Sequence, residues 1–88
     1  MRVHIVVTGR VQGVGFRHFT AGRARALGLT GTVNNLPTGQ VEVTASGDRS
    51  MLEALIGVIR EGPPGALVQD VRVDWEDAPA REREFTIR

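Results

Sequence analysis

Hydrophobic and polar positions change period several times along this chain. Val3, Ile5 and Val7 alternate with His4, Val6 and Thr8, a period of two that predicts a strand covered at least partly on both faces. The pattern breaks at Gly9, and three glycines between Gly9 and Gly15 predict a loop. From Phe16 to Leu27 the period becomes helical, with Phe16, Thr20, Ala24 and Leu27 on one face and Gly28 as a left-handed cap. Thr30–Leu36 and Gln40–Gly47 read as two strands. Leu36-Pro37-Thr38-Gly39 between them has the signature of a type I turn, which makes a hairpin.

A second helix starts at Asp48, or one turn later at a capping box over Ser50-Met51-Leu52-Glu53, and buries a stripe of Leu52, Leu55, Ile56 and Ile59. Glu61-Gly62-Pro63-Pro64-Gly65 cannot continue it. Leu67–Trp75 alternates again, with Val71, Val73 and Trp75 on one face, and Phe85-Thr86-Ile87 after a polar stretch suits a last edge strand. The order β, α, β, β, α, β predicts an α+β domain of the ferredoxin-like type. Its sheet would be antiparallel, of four to five strands, with two helices on one face. Eighty-eight residues hold one such domain, 1–88.

Composition narrows the chemistry. There is no cysteine, which excludes disulfides, thiolate catalysis and thiolate-bound zinc; two distant histidines make a poor metal site. No metal or organic cofactor is expected. The opening residues are too short and too polar for a signal peptide or a membrane span, so a cytoplasmic protein with no membrane partner is expected. Residues 1–41 carry five arginines and no carboxylate, whereas residues 42–88 carry six arginines and ten acids. An amino-terminal half of one sign suits an anionic ligand.

The stretch Gly9-Arg10-Val11-Gln12-Gly13-Val14-Gly15-Phe16-Arg17 joins a strand to a helix. Glycines there let successive N–H groups converge, the first helical turn adds unpaired donors, and Arg17 can grip two oxygens of a tetrahedral anion with its planar fork. The chain has no lysine, so this is not a P-loop, and the last glycine of a dinucleotide fingerprint is missing. A glycine-rich turn with a solvated arginine accounts for the same residues, and the stretch alone leaves both readings open.

The same nine residues resemble the signature of the acylphosphatases. A second signature of that family resembles Gly31-Thr32-Val33-Asn34-Asn35-Leu36-Pro37-Thr38-Gly39-Gln40-Val41-Glu42-Val43, and both Gly62-Pro63-Pro64-Gly65-Ala66 and Phe85-Thr86-Ile87-Arg88 are similar to family segments. The resemblance implies hydrolysis of small-molecule acyl phosphates, with Arg17 holding the phosphate and Asn35 placing the attacking water. It also implies a cradle of backbone amides from Gln12, Gly13, Val14, Gly15 and Phe16. Thr32 stands where the family has tryptophan and Asn34 where it has a basic residue, changes expected to touch substrate approach or packing beside the site.

Other residues receive plainer readings. His18 is read as a surface histidine, His4 as half-buried, Trp75 and Phe85 as packing residues, and Arg23 and Arg25 as helix-surface charges. Asp70, Asp74, Glu76 and Asp77 read as an exposed face. A non-catalytic phosphate- or carbamoyl-phosphate-binding module of the same fold is the alternative, and the length of the chain is taken to favour a free-standing monomeric enzyme. Four aromatic residues, no tyrosine and balanced charge argue against a nucleic-acid partner.

Overall fold

The computed structural model describes all 88 residues. The elements are β1 (Arg2–Arg10), α1 (Phe16–Ala26), β2 (Thr30–Asn35), β3 (Val41–Ser46), α2 (Arg49–Glu61), β4 (Leu67–Glu76) and β5 (Phe85–Ile87). They form one five-stranded sheet in the order β4-β1-β3-β2-β5. The expected α+β architecture is present, with one correction. β5 pairs parallel with β2, from Gly31 opposite Phe85 to Val33 opposite Ile87, so the sheet is mixed rather than purely antiparallel.

The period-two pattern decides what is buried. Val3, Ile5 and Val7 of β1, Val33 of β2, and Val41, Val43 and Ala45 of β3 are fully buried on the helix face. Against them pack Phe16, Ala21 and Ala24 of α1 and the stripe Leu52, Leu55, Ile56 and Ile59 of α2. Each valine, leucine, isoleucine or phenylalanine among them, fully buried, contributes about 1.5–3 kcal/mol relative to exposure, and the alanines less. Phe85 is buried as well, which is how so short a strand as β5 holds its place. Arg25 adds to that anchor. Far from being a free surface charge, it donates through Nε and Nη2 to the Phe85 carbonyl at 3.0 and 2.8 Å. Trp75 is only half buried, and the Arg49 guanidinium lies 4.2 Å above its ring.

Helix ends follow local chemistry. Gly28 takes φ 72°, with its N–H bonded to the Arg25 carbonyl and that of Leu29 to the Ala24 carbonyl, the paired closure of a glycine-terminated helix. Asp48 sits at the start of α2, but its side chain makes no capping hydrogen bond.

β1 does not stop at Gly9 as expected. It runs on to Arg10 through a register shift against β4 between Thr8 and Gly9. Gly9 has φ 135°, and a Cβ there would collide with the Leu67 carbonyl oxygen across the strand pair. This glycine therefore serves a close backbone approach at a bulge, not the loop.

β1 and β2 each run antiparallel to β3, which lies between them, so they run parallel to each other. Their carboxyl ends lie at the same end of the sheet. Val7 and Asn35 are both opposite Val41, one on each side. That places the loop after β1 and the last residue of β2 within about two strand spacings, roughly 10 Å.

Candidate active site

Residues 11–15 cross from β1 to α1 over that end of the sheet. Gly13 and Gly15 take φ 74° and 77°, a region costly for other residues, and curl the backbone. Phe16 is 1% exposed and sinks the first residue of α1 into the core, edge-to-face with Phe19. The amino terminus of the helix is thereby aimed at the loop. The N–H groups of residues 12–18 donate to no backbone carbonyl. Unpaired amides of this kind, with the positive end of the helix dipole behind them, attract an anion.

Val11, Gly13, Gly15, Phe16, Arg17, His18 and Asn35 line one cavity of about 230 Å³. Arg17 and Asn35 thus come together, although 18 positions separate them. Asn35 follows Gly31 and Val33 on the helix face of β2 by alternation, so its carboxamide lies at the rim of the core where the helix begins. Thr32 and Asn34 project to the opposite face. The two departures from the family pattern are therefore on the far side of the sheet from the cavity, not beside it.

Arg17 is oriented from outside the loop. Its Nη1 donates to the main-chain oxygen of Arg88 at 2.8 Å, and the Arg88 N–H in turn donates to the Val33 carbonyl at 2.8 Å. The guanidinium is thus tied to β2 two residues before Asn35. One of its five donors is spent there, and the rest stay available for the oxygens of an anion.

Gln12 and Val14 do not line the cavity. The Gln12 side chain does something the sequence did not suggest. Its amide group donates to the Leu36 carbonyl at 2.8 Å and the Gln40 carbonyl at 2.9 Å, clamping the loop to the β2–β3 hairpin immediately after Asn35. A half-buried glutamine in a turn carries no local signal for such a contact. Val11, 1% exposed, forms the inner wall and was not anticipated either.

No carboxylate lines the cavity. Two wider hollows lie elsewhere, between α2 and β4 and beside the carboxyl end of α1, and each includes a glutamate among its lining residues. Only the cavity at the loop combines free amides, a guanidinium and a neutral carboxamide without an acidic side chain in its lining. The arrangement can hold a dianionic tetrahedral group and orient one water against it.

A family model for acylphosphatases matches residues 3–87. The chain belongs to the acylphosphatase family. It is 50% identical over 88 residues to an acylphosphatase of Trichormus variabilis, covering all of this chain and 86% of that one. The crystal structure of the Bacillus subtilis acylphosphatase superposes with a TM-score of 0.95 at 35% identity, over 98% of this chain and 96% of the other. The T. kodakarensis HypF structure matches all of this chain with a TM-score of 0.85 at 31% identity, but over 12% of its own length. The reading of the sequence as an acylphosphatase stands. No helix is long and apolar enough to cross a membrane.

Proposed function

We propose that this acylphosphatase cleaves its substrate by in-line attack of water on a phosphate held by Arg17 and the loop amides, with Asn35 orienting the water. The shared cavity of Arg17, Asn35 and the unpaired amides carries this reading. An acyl phosphate brings a good leaving group, a carboxylate, so no strong acid is needed. The Arg17 fork and the amides of residues 12–16 neutralise charge on the phosphoryl oxygens. The Asn35 carbonyl accepts from the water and fixes its direction of approach. The water oxygen–phosphorus bond forms as the phosphorus–acyl oxygen bond breaks; the carboxylate leaves with the bonding pair, and a phosphate oxygen takes the water proton. The protein acts on a small-molecule acyl phosphate, as a monomer in the cytoplasm, without a metal.

The test is phosphate release from benzoyl phosphate by wild type, Arg17→Ala, Arg17→Lys and Asn35→Ala. Arg17→Ala loses both binding and turnover, and Arg17→Lys fares badly because an ammonium cannot reproduce the fork. Asn35→Ala still binds inorganic phosphate while turnover falls about 100- to 1,000-fold, the usual cost of removing one positioned polar group from such a site. Unchanged turnover in Asn35→Ala removes Asn35 from the mechanism. Binding of phosphate by wild type without hydrolysis turns the reading towards a binding module, the role that a domain of this shape within a longer protein would suggest. Turnover is expected to survive EDTA.

A further inference from the structure

Of the seven residues lining the cavity, Val11 and Phe16 are buried, and Arg17 and Asn35 are half buried. Gly13, Gly15 and His18 are exposed and form the rim. Two of these three have no side chain. His18 therefore carries the one exposed side chain among the lining residues, where an acyl group leaving the cavity over that rim would pass it. His18 follows Arg17 on α1, so it lies about 100° further round the helix while still lining the same cavity. It is also uncommitted. His4, the other histidine, is engaged by Glu42 at 2.8 Å, whereas no side chain pairs with His18.

Acids are sparse around His18: α2, which packs against α1, ends at Glu61 beside Gly62, and Gly62 approaches the Phe16 ring. The first turn of α1 contains no acid, and no carboxylate occurs anywhere in residues 1–41, which supply β1, the loop, α1 and β2. β5, packed beside α1, is Phe85-Thr86-Ile87 and has none either, and on β3 the one acid, Glu42, is engaged by His4. An imidazole offers a hydrogen-bond donor in either neutral tautomer and a positive charge when protonated. Resting on the acylphosphatase reading above, we infer that His18 is a specificity-determining residue: it selects acyl phosphates whose acyl part carries a second negative group, such as a distal carboxylate.

The experiment compares kcat/KM for succinyl phosphate and acetyl phosphate, whose acyl parts differ in the distal carboxylate, in wild type, His18→Gln and His18→Lys. An exposed charge contact contributes up to about 1 kcal/mol, which is a factor of about five. The succinyl-to-acetyl ratio is therefore expected to fall about three- to fivefold in His18→Gln, through KM rather than kcat, and to recover in His18→Lys. An exposed helical position tolerates both changes, and matching far-UV circular dichroism verifies the fold. A ratio that stays the same in His18→Gln overturns the inference, as does one that falls equally in His18→Lys. In either case hydrolysis of both substrates, abolished by Arg17→Ala, leaves the parent reading intact. Hydrolysis of neither substrate by wild type overturns both.

Discussion

Gln12 offers the sharpest test of how the site is assembled. Its side-chain amide makes two half-buried hydrogen bonds, to the carbonyls of Leu36 and Gln40. Each carbonyl also accepts a backbone N–H, from Gly39 at 3.1 Å and from Leu36 at 2.8 Å, so neither is orphaned when Gln12 is truncated. Gln12→Ala should then cost the net value of two ordinary hydrogen bonds, about 2 kcal/mol in all. For a domain of this size that is a fall in melting temperature of roughly 8–16 °C, or a lower urea midpoint at unchanged slope. Gln12→Glu should be worse than Gln12→Ala at pH 7, because it sets carboxylate oxygens against two carbonyl oxygens. Protonation gives the introduced group a donor, so its folded-state pKa is raised above the unfolded value. The extra penalty is full above the folded pKa and fades as pH falls towards about 4, the ordinary range of a glutamate. Turnover should fall in both variants, by up to about 100-fold, because the clamp positions the loop against the residue after Asn35 and misplacement by an ångström costs that much. A Gln12→Ala protein with wild-type stability, or a Gln12→Glu protein no weaker than Gln12→Ala at neutral pH, would refute the clamp.

Three further outcomes are expected. Thr20 is fully buried and its hydroxyl has no hydrogen-bond partner, so Thr20→Val should raise stability by about 1 kcal/mol in urea titration. Gly9→Ala should lose about 2–4 kcal/mol, measured the same way, because its new methyl meets the β4 backbone at an unfavourable φ. The Arg2 guanidinium, bonded to Glu76 at 2.8 and 3.1 Å, holds the Glu76 carboxyl below its ordinary pKa. Its stabilising contribution is present above the unfolded value and is lost as pH falls through the lower folded one. The stability difference between wild type and Glu76→Gln should therefore be small at neutral pH and vanish under acid.

Much of the fold was legible because periodicity reports burial. The alternation of Val3, Ile5 and Val7 and the stripe from Leu52 to Ile59 each marked a face that the structure buries. What was not legible is what depends on a partner strand. Gly9 looks like loop punctuation in sequence, and only the Leu67 carbonyl opposite it shows that it belongs to a bulge. The direction of β5 likewise follows from a long polar connection after Glu76, whose path three residues of strand do not reveal.

The same division runs through the site. Gly13, Gly15, Phe16 and Arg17 are consecutive or nearly so, and a loop entering a helix makes them neighbours by local geometry alone. Asn35 joins them because β1 and β2 share β3 as an antiparallel partner, which brings their carboxyl ends to one edge. That is a property of topology, visible in sequence only through a family pattern. The contacts that hold the two halves together are more distant still: Gln12 to the hairpin, and Arg17 through Arg88 to Val33. Both use side-chain donors on main-chain oxygens, and such an oxygen is present at every position whatever the residue. The receiving end of such a bond leaves no mark in the sequence. Residues proposed to hold the phosphate can therefore be read from a motif, whereas those that set the angle between Arg17 and Asn35 emerge only when the sheet is assembled.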